Sequence, residues 1–207
     1  MARIDLENMD TVQFDVLKEL GNIGAGNATT ALAKLINARI DMKVPKVDLL
    51  GFSELANVVG SEETVMVGIM LLLEGDISGM MMFLLEVESA KHLVNKLMGM
   101  ADDEGGEAME FSSIQLSALN EIGNIITGAY LSALSDLTRL KIISSVPNLQ
   151  IDMAGAILSI PAIEFGKIGD KVLLIETRFD DETAIDGYFV LIPELESYDV
   201  ILNSLGV

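Results

Sequence analysis

The amino-acid sequence predicts an α+β fold, in which one antiparallel sheet made of two related halves carries two long helices on its outside. Three observations support this prediction: an internal repeat, a helical spacing of polar and apolar residues early in each half, and paired apolar runs separated by turns. The halves span about 8–100 and 111–207, and the acidic segment 101–110 links them. We therefore expect a single domain over 1–207 with a pseudo-twofold axis.

The repeat is clearest in the two segments that should form the long helices. KELGNIGAGNATTALAKLI at 18–36 aligns with NEIGNIITGAYLSALSDLT at 120–138, and the later segments 76–100 and 184–207 also align. A repeat that covers nearly the whole chain indicates a duplication. Two such copies most simply share one sheet and one core.

Each long helix has a start signal at the same place in its half. Asp10 is followed three residues later by Gln13, and Ser112 is followed in the same way by Gln115. This spacing is typical of a capping box, in which two side chains satisfy backbone amides at the start of a helix.

A polar stripe follows the outer face of each long helix. At 100° per residue its members fall within a sector of about 60°. The first stripe is Asp15, Glu19, Asn22 and Gly26, and the second is Ser117, Glu121, Asn124 and Gly128. The opposite faces are apolar and should face the core, through Leu17, Leu20, Gly24, Ala28, Ala31 and Leu35 in one helix and Leu119, Ile122, Ala133 and Leu137 in the other.

A stripe of this kind is often only a solvated helix face, but its composition favours a functional surface. Glycine costs about 1 kcal/mol relative to alanine in a helix interior, yet Gly21, Gly24 and Gly26 lie close together. Gly24 would let a core neighbour approach, and Gly26 would leave space beside Asn22. Asparagine is also a poor choice for an exposed helix interior, and the acid, amide and glycine recur in both helices.

After each long helix the sequence predicts a strand, a hairpin and a closing helix. Twenty-two residues separate each stripe asparagine from a proline, Pro45 or Pro147, which should mark the entry of a strand. The segment 150–158 is expected to form a short helix after its strand. In the first hairpin the methionines should fill the core, and they are Met66, Met70, Met80, Met81 and Met82.

Composition excludes several classes of function. Thirteen Lys and Arg against 32 Asp and Glu give a net charge of −19, which disfavours nucleic acid and anionic lipid as partners. The absence of Cys and the presence of one His argue against thiolate catalysis and a metal site of the chain's own. With no signal-like start and no apolar run of about 20 residues, we expect a cytoplasmic protein without membrane insertion.

The stripe and the proline together form a signature: Asp or Ser, three residues, Glu, two residues, Asn, twenty-two residues, Pro. This signature resembles that of the CheC/CheX/FliY family of chemotaxis phosphatases, and its CheC branch most closely. Both copies are intact and the repeat covers almost the whole chain, so a flagellar-switch domain is not expected. CheX-like members carry one motif and act as dimers, so the duplicated chain is expected to be a monomer.

The resemblance implies an enzyme that hydrolyses the aspartyl-phosphate of the response regulator CheY. Asn22 and Asn124 are implied to orient the attacking water, and Glu19 and Glu121 to pair with a lysine of the regulator. Supporting roles are implied for Asp15, Ser117, Gly26 and Gly128. No cofactor of the chain's own is expected, because the regulator carries Mg²⁺ beside its phosphoryl group.

Other partners and functions stay open at this point. In CheC relatives a helix near 150–158 contacts the deamidase CheD, which makes Asp152 and Met153 weak candidates for partner binding; ordinary packing explains that segment about equally well. The main alternative function is a non-catalytic binding protein for phosphorylated CheY or for CheD. A flagellar-switch component is a second alternative.

Overall fold

A computed structural model describes residues 9–37, 41–42, 46–100, 111–165, 171–180 and 184–207. Its helices are α1 (Thr11–Leu35), α2 (Phe52–Val58), α3 (Val87–Met98), α4 (Ser113–Thr138), α5 (Ala154–Phe165) and α6 (Leu195–Ser204). Its strands are β1 (Asp41–Met42), β2 (Lys46–Gly51), β3 (Val65–Gly75), β4 (Gly79–Glu86), β5 (Ile142–Ser144), β6 (Asn148–Met153), β7 (Lys171–Asp180) and β8 (Ala184–Pro193). The predicted α+β class is confirmed.

Both long helices begin where the capping signals predict. The backbone amide of Gln13 donates to Asp10 Oδ1 at 2.9 Å, and the amide of Asp10 donates to Gln13 Oε1 at 3.2 Å. Ser112 and Gln115 make the reciprocal pair at the start of α4, at 2.9 and 3.3 Å. Each box satisfies two amides that lack a partner within the helix.

The described strands form one antiparallel sheet in the order β1-β7-β8-β4-β3-β5, with β2 also on β7 and β6 also on β3. The β4–β8 pair joins the two halves at the centre, with Phe83 opposite Phe189 and their rings 4.8 Å apart. Strand β2 of the first half pairs with β7 of the second, and β6 of the second pairs with β3 of the first. Each half therefore completes its hairpin with a strand from the other half.

Helices cover both faces of the sheet. The larger core lies under α1, α3, α4 and α6, and a second core lies between the other face and α2 with α5. Strand alternation divides the hairpin methionines between these cores, with Met81 in the larger core and Met66, Met70, Met80 and Met82 in the second. All five are buried, as predicted.

Two details of the prediction need correction. Residues 150–153 belong to strand β6, and the helix begins only at Ala154, because Val65–Met70 of β3 pairs with the whole of Asn148–Met153. Its counterpart in the first half, α2, was absent from the prediction. Pro147 directly precedes β6, as expected, while Pro45 and the acidic segment 101–110 lie outside the described residues. Among the described residues, no helix is both long and apolar enough to span a membrane.

Candidate active site

The two polar stripes lie on the outer faces of α1 and α4, as the helical spacing predicts. All four members are exposed in α4, namely Ser117, Glu121, Asn124 and Gly128. In α1, Asp15 and Glu19 are exposed, whereas Asn22 and Gly26 are half-buried. The predicted inward face is largely confirmed, since Leu17, Leu20, Gly24, Ala28, Leu119, Ile122 and Ala133 are buried.

One residue of the predicted inward face of α4 is misplaced. Leu137 lies in the last turn of α4 and is 37% exposed. It lines a groove of about 420 Å³ between the C-terminal halves of α1 and α4, together with Thr30 and Lys34. Leu137 therefore faces the groove, whereas Leu134 and Thr138 beside it are buried.

The stripe asparagines differ from other asparagines on the same helices. Asn27 donates from Nδ2 to the carbonyl of Ile23 at 2.9 Å, and Asn120 donates to the carbonyl of Leu116 at 3.1 Å. Those side chains are satisfied within their own helices. The carboxamides of Asn22 and Asn124 form no such hydrogen bond with the described residues.

The environments of the two stripe asparagines are unequal. Asn22 Oδ1 is buried and accepts no hydrogen bond from the described part of the chain. Asn124 is exposed. Since a carboxamide both donates and accepts, the exposed Asn124 can use its oxygen and its nitrogen at once, whereas the oxygen of Asn22 becomes accessible only after its side chain changes conformation.

The stripe glutamates lie beside the stripe asparagines on the same helix faces. Glu19 precedes Asn22, and Glu121 precedes Asn124, by three residues, which places their Cβ atoms about 5–6 Å apart on one helix face. Both carboxylates are exposed, and no described residue forms an ion pair or hydrogen bond with either. Each helix therefore presents one acceptor carboxylate and one carboxamide side by side.

Glycines near the stripes serve two different purposes. A Cβ on Gly24 would lie 2.5 Å from the ring of Tyr130, and a Cβ on Gly123 would lie 2.5 Å from Ile69, so these glycines permit close packing. The expected role of Gly24 is therefore confirmed. A Cβ on Gly128 would meet nothing within 4 Å, so the fold of this chain does not require glycine there.

The structure also draws attention to two residues that the sequence analysis left out. Val12 and Ile114 are 57% and 65% exposed, and each lies seven residues before a stripe glutamate. Seven residues are close to two helical turns, so both share the stripe face. The same helical spacing that found the stripes would have found them, had apolar residues been sought on the outer face.

Asp152 and Met153 lie on a different part of the molecule. Both are exposed at the end of β6, where the backbone amide of Met153 donates to Asp152 Oδ1 at 2.8 Å. The helix that follows them, α5, packs on the sheet face opposite α1 and α4. The fold thus separates this candidate partner surface from the two stripes.

The fold and the two stripes define a class of protein in which two long helices on one face of an antiparallel sheet carry polar side chains on their outer faces. The chain matches the crystal structure of Thermotoga maritima FliY with a TM-score of 0.75 at 20% identity, over 96% of this chain and 98% of that one. It matches the CheX-CheY-BeF3-Mg²⁺ complex from Borrelia burgdorferi with a TM-score of 0.53 at 15% identity, over 83% and 95% of the two chains.

Sequence similarity then places the chain in a family. A model of the CheC-like family matches residues 12–48 and 114–151, which contain both stripes. The chain is 36% identical over 197 residues to the CheY-P phosphatase CheC of Bacillus subtilis (strain 168), covering 94% of each protein. This protein belongs to the CheC-like family, and the resemblance inferred from the two motifs is confirmed.

Proposed function

We propose that this protein is a phosphatase that hydrolyses the aspartyl-phosphate of the chemotaxis response regulator CheY. The similarity to a CheY-P phosphatase over 94% of the chain supports this activity. The observation that carries it at the level of residues is the pair of stripe carboxamides, which have no partner within their own helices, unlike Asn27 and Asn120.

In the proposed reaction, the carboxamide of Asn124 or Asn22 enters the phosphorylation site of the regulator and orients a water molecule. Oδ1 accepts a hydrogen bond from this water and holds its oxygen in line with the scissile bond. The water oxygen bonds to phosphorus as the bond to the aspartate oxygen breaks, which releases inorganic phosphate and restores the carboxylate. The Mg²⁺ carried by the regulator neutralises charge on the phosphoryl oxygens.

Glu121 and Glu19 act in binding. Each carboxylate pairs with a lysine of the regulator and thereby fixes the helix in register with the phosphoryl group. The net charge of −19 favours approach of such a cationic site over nucleic acid. Positioning of this kind needs no proton-transfer group with a shifted pKa, because an acyl phosphate is already reactive. Asp15, Ser117, Gly26 and Gly128 support the two stripes in this proposal.

The decisive experiment follows the loss of radiolabelled phosphate from the regulator at substoichiometric amounts of this protein. A phosphatase accelerates the loss and turns over many times. A non-catalytic binding protein leaves the phosphate unchanged or protects it, and that result would refute the proposal. Co-purification with the motor basal body, without any acceleration, would instead favour the flagellar-switch alternative.

The proposal extends to CheD, to assembly and to location. CheD docks at the end of β6 through Asp152 and Met153, which are exposed beside α5. Because this surface is separate from the stripes, Asp152→Lys should abolish stimulation by CheD and leave the unstimulated rate unchanged. The protein acts as a monomer, since the duplication supplies both motifs in one chain, and it works in the cytoplasm on a cytoplasmic regulator.

A further inference from the structure

We infer that Val12 and Ile114 are apolar docking residues, each of which contacts the phosphorylated regulator that the adjacent stripe acts on. This inference rests on the proposed function and adds a specificity-determining contact to the same site. It concerns binding of the partner, not chemistry at phosphorus.

Both residues lie on the stripe faces of their helices. At 100° per residue, Val12 lies about 20° from Glu19 around the axis of α1, so it extends the stripe toward the helix start. Ile114 has the same relation to Glu121 on α4. Each is the second residue of its helix, directly after a capping box that fixes the first turn.

Both residues are exposed despite their apolar side chains. Val12 is 57% and Ile114 65% exposed, while both helices bury apolar residues on their opposite faces. A single exposed apolar residue is ordinary on a protein surface. Here two exposed apolar residues occupy equivalent positions in the two halves, and each lies on the face that carries the proposed catalytic residues. Partner binding explains this arrangement, whereas solubility does not.

Both residues lie within reach of a regulator that is bound at the adjacent stripe. At a rise of about 1.5 Å per residue, Val12 lies about 10 Å from Glu19 and about 15 Å from Asn22 along the axis. A standard interface buries about 800 Å² on each partner, a patch roughly 30 Å across. A regulator whose interface is centred near Glu19 therefore covers both the asparagine and the first turn of the helix.

The test measures initial rates over a range of phosphorylated regulator concentrations, with one stripe inactivated at a time. Ile114→Ala is made in an Asn22→Ala background, and Val12→Ala in an Asn124→Ala background. Ile114→Ala removes three side-chain carbons and Val12→Ala removes two. If these carbons are partly buried against the regulator, their removal should raise KM about eightfold for Ile114→Ala and about fourfold for Val12→Ala. We expect kcat to change by less than twofold, and Ile114→Leu to retain the parent KM.

The matched control is Ile163→Ala on α5, made in the same Asn22→Ala background. Ile163 is 74% exposed and lies on a helix that packs on the opposite face of the sheet, so its removal should leave KM unchanged in the absence of CheD. Thermal unfolding of each variant verifies that the fold is retained.

The outcomes separate the two proposals. Wild-type protein that does not accelerate phosphate loss overturns the proposed function. Wild-type acceleration, with a KM for Ile114→Ala within twofold of that for Ile163→Ala, overturns the docking inference alone. A change in sedimentation of the Val12→Ala, Ile114→Ala double variant, with unchanged KM, assigns these residues to self-association and also overturns it.

Discussion

Helices α1 and α4 carry the same acid–amide plan, but they present it to solvent differently. Asn124 is exposed, whereas Asn22 is half-buried with its Oδ1 buried and without a hydrogen-bond partner in the described chain. The core sides of the helices differ too. Gly24 aligns in the repeat with Ile126, and Ala28 aligns with Tyr130.

These differences between the core faces are complementary. The ring of Tyr130 occupies the space that a Cβ on Gly24 would fill, and it also lies 5.4 Å from the ring of Phe189. Helix α1 therefore has a small residue at the point where α4 contributes a large side chain. The comparison shows that a duplicated unit can exchange volume across its internal interface while it keeps the same residues on its outer face.

The largest expected effect tests whether the two stripes together account for the activity. Asn22→Ala combined with Asn124→Ala should reduce the accelerated rate about 10²-fold, the order seen when one well-placed active-site hydrogen bond is lost. The assay is loss of radiolabelled phosphate from the regulator. The matched control is Asn27→Ala combined with Asn120→Ala, which removes two asparagines bonded within their own helices. Equal rates for the two double variants would rule out positioning by the stripe carboxamides.

The next prediction compares the stability of two glycine variants, one at Gly24, which is needed for packing, and one at Gly128, which is not. Gly24→Ala should destabilise the fold by about 1–2 kcal/mol, because overpacking against Tyr130 outweighs the gain in helix propensity. Gly128→Ala should stabilise it by about 1 kcal/mol, since nothing lies near the new Cβ. Urea unfolding measures both.

Gly128→Ala also tests the clearance that the partner needs. If Gly128 provides space beside Asn124, the stabilised variant should have a higher KM for the phosphorylated regulator. A stabilised variant with an unchanged KM would show that the partner does not approach Gly128.

The difference in exposure of the asparagines predicts unequal single variants. Asn124→Ala should lower the rate about tenfold and Asn22→Ala less than twofold, because Asn22 is competent only in the fraction of molecules in which it has turned outward. Single-variant assays at saturating regulator measure this ratio. Equal losses would mean that partner binding turns Asn22 outward at no cost.

A smaller effect on stability follows from the same asymmetry. A buried polar atom without a partner lowers the stability of a fold by about 1–3 kcal/mol. Asn22→Ala removes such an atom, whereas Asn124→Ala removes an exposed side chain that carries no such cost. We expect Asn22→Ala to be the more stable of the two by about 1 kcal/mol in urea unfolding. The reverse order would place a partner for Oδ1 in the folded chain.

The smallest effect concerns Tyr130, the residue that distinguishes the core side of α4. Its hydroxyl oxygen is buried without a hydrogen-bond partner in the described chain, and burial raises the pKa of the phenol. Tyr130→Phe should therefore leave stability near pH 7 unchanged or raise it by up to about 1 kcal/mol.

The alkaline range gives the second half of that prediction. Since the folded-state pKa lies above the unfolded value of about 10, the stability is fully present below pH 10 and falls as the pH rises further, when only the unfolded phenol ionises. Tyr130→Phe should lose less stability than wild type between pH 10 and 11. If Tyr130→Phe and wild type lose the same stability at alkaline pH, the loss comes from the ionisation of other groups, such as the buried Tyr198.

Much of the site was predictable because it lies within single helices. The capping boxes, the outer stripes and the buried Leu17 and Ile122 depend on residues three or four apart, and helical geometry fixes their relation. Helical spacing wrongly predicted that Leu137 is buried, because the face that the last turn of a helix buries depends on the neighbouring helix.

The sequence by itself determined the repeat, the starts of both long helices, the antiparallel hairpins and which residues line the outer stripes. Only the tertiary structure decided that β2 and β6 pair with the opposite half, that α2 and α5 cover the second face, and that Asn22 is less exposed than Asn124. The physical reason is the distance along the chain over which each interaction acts. Periodicity and capping act between neighbours in the chain, whereas strand partners and the fit of Tyr130 against Gly24 depend on residues about a hundred positions apart.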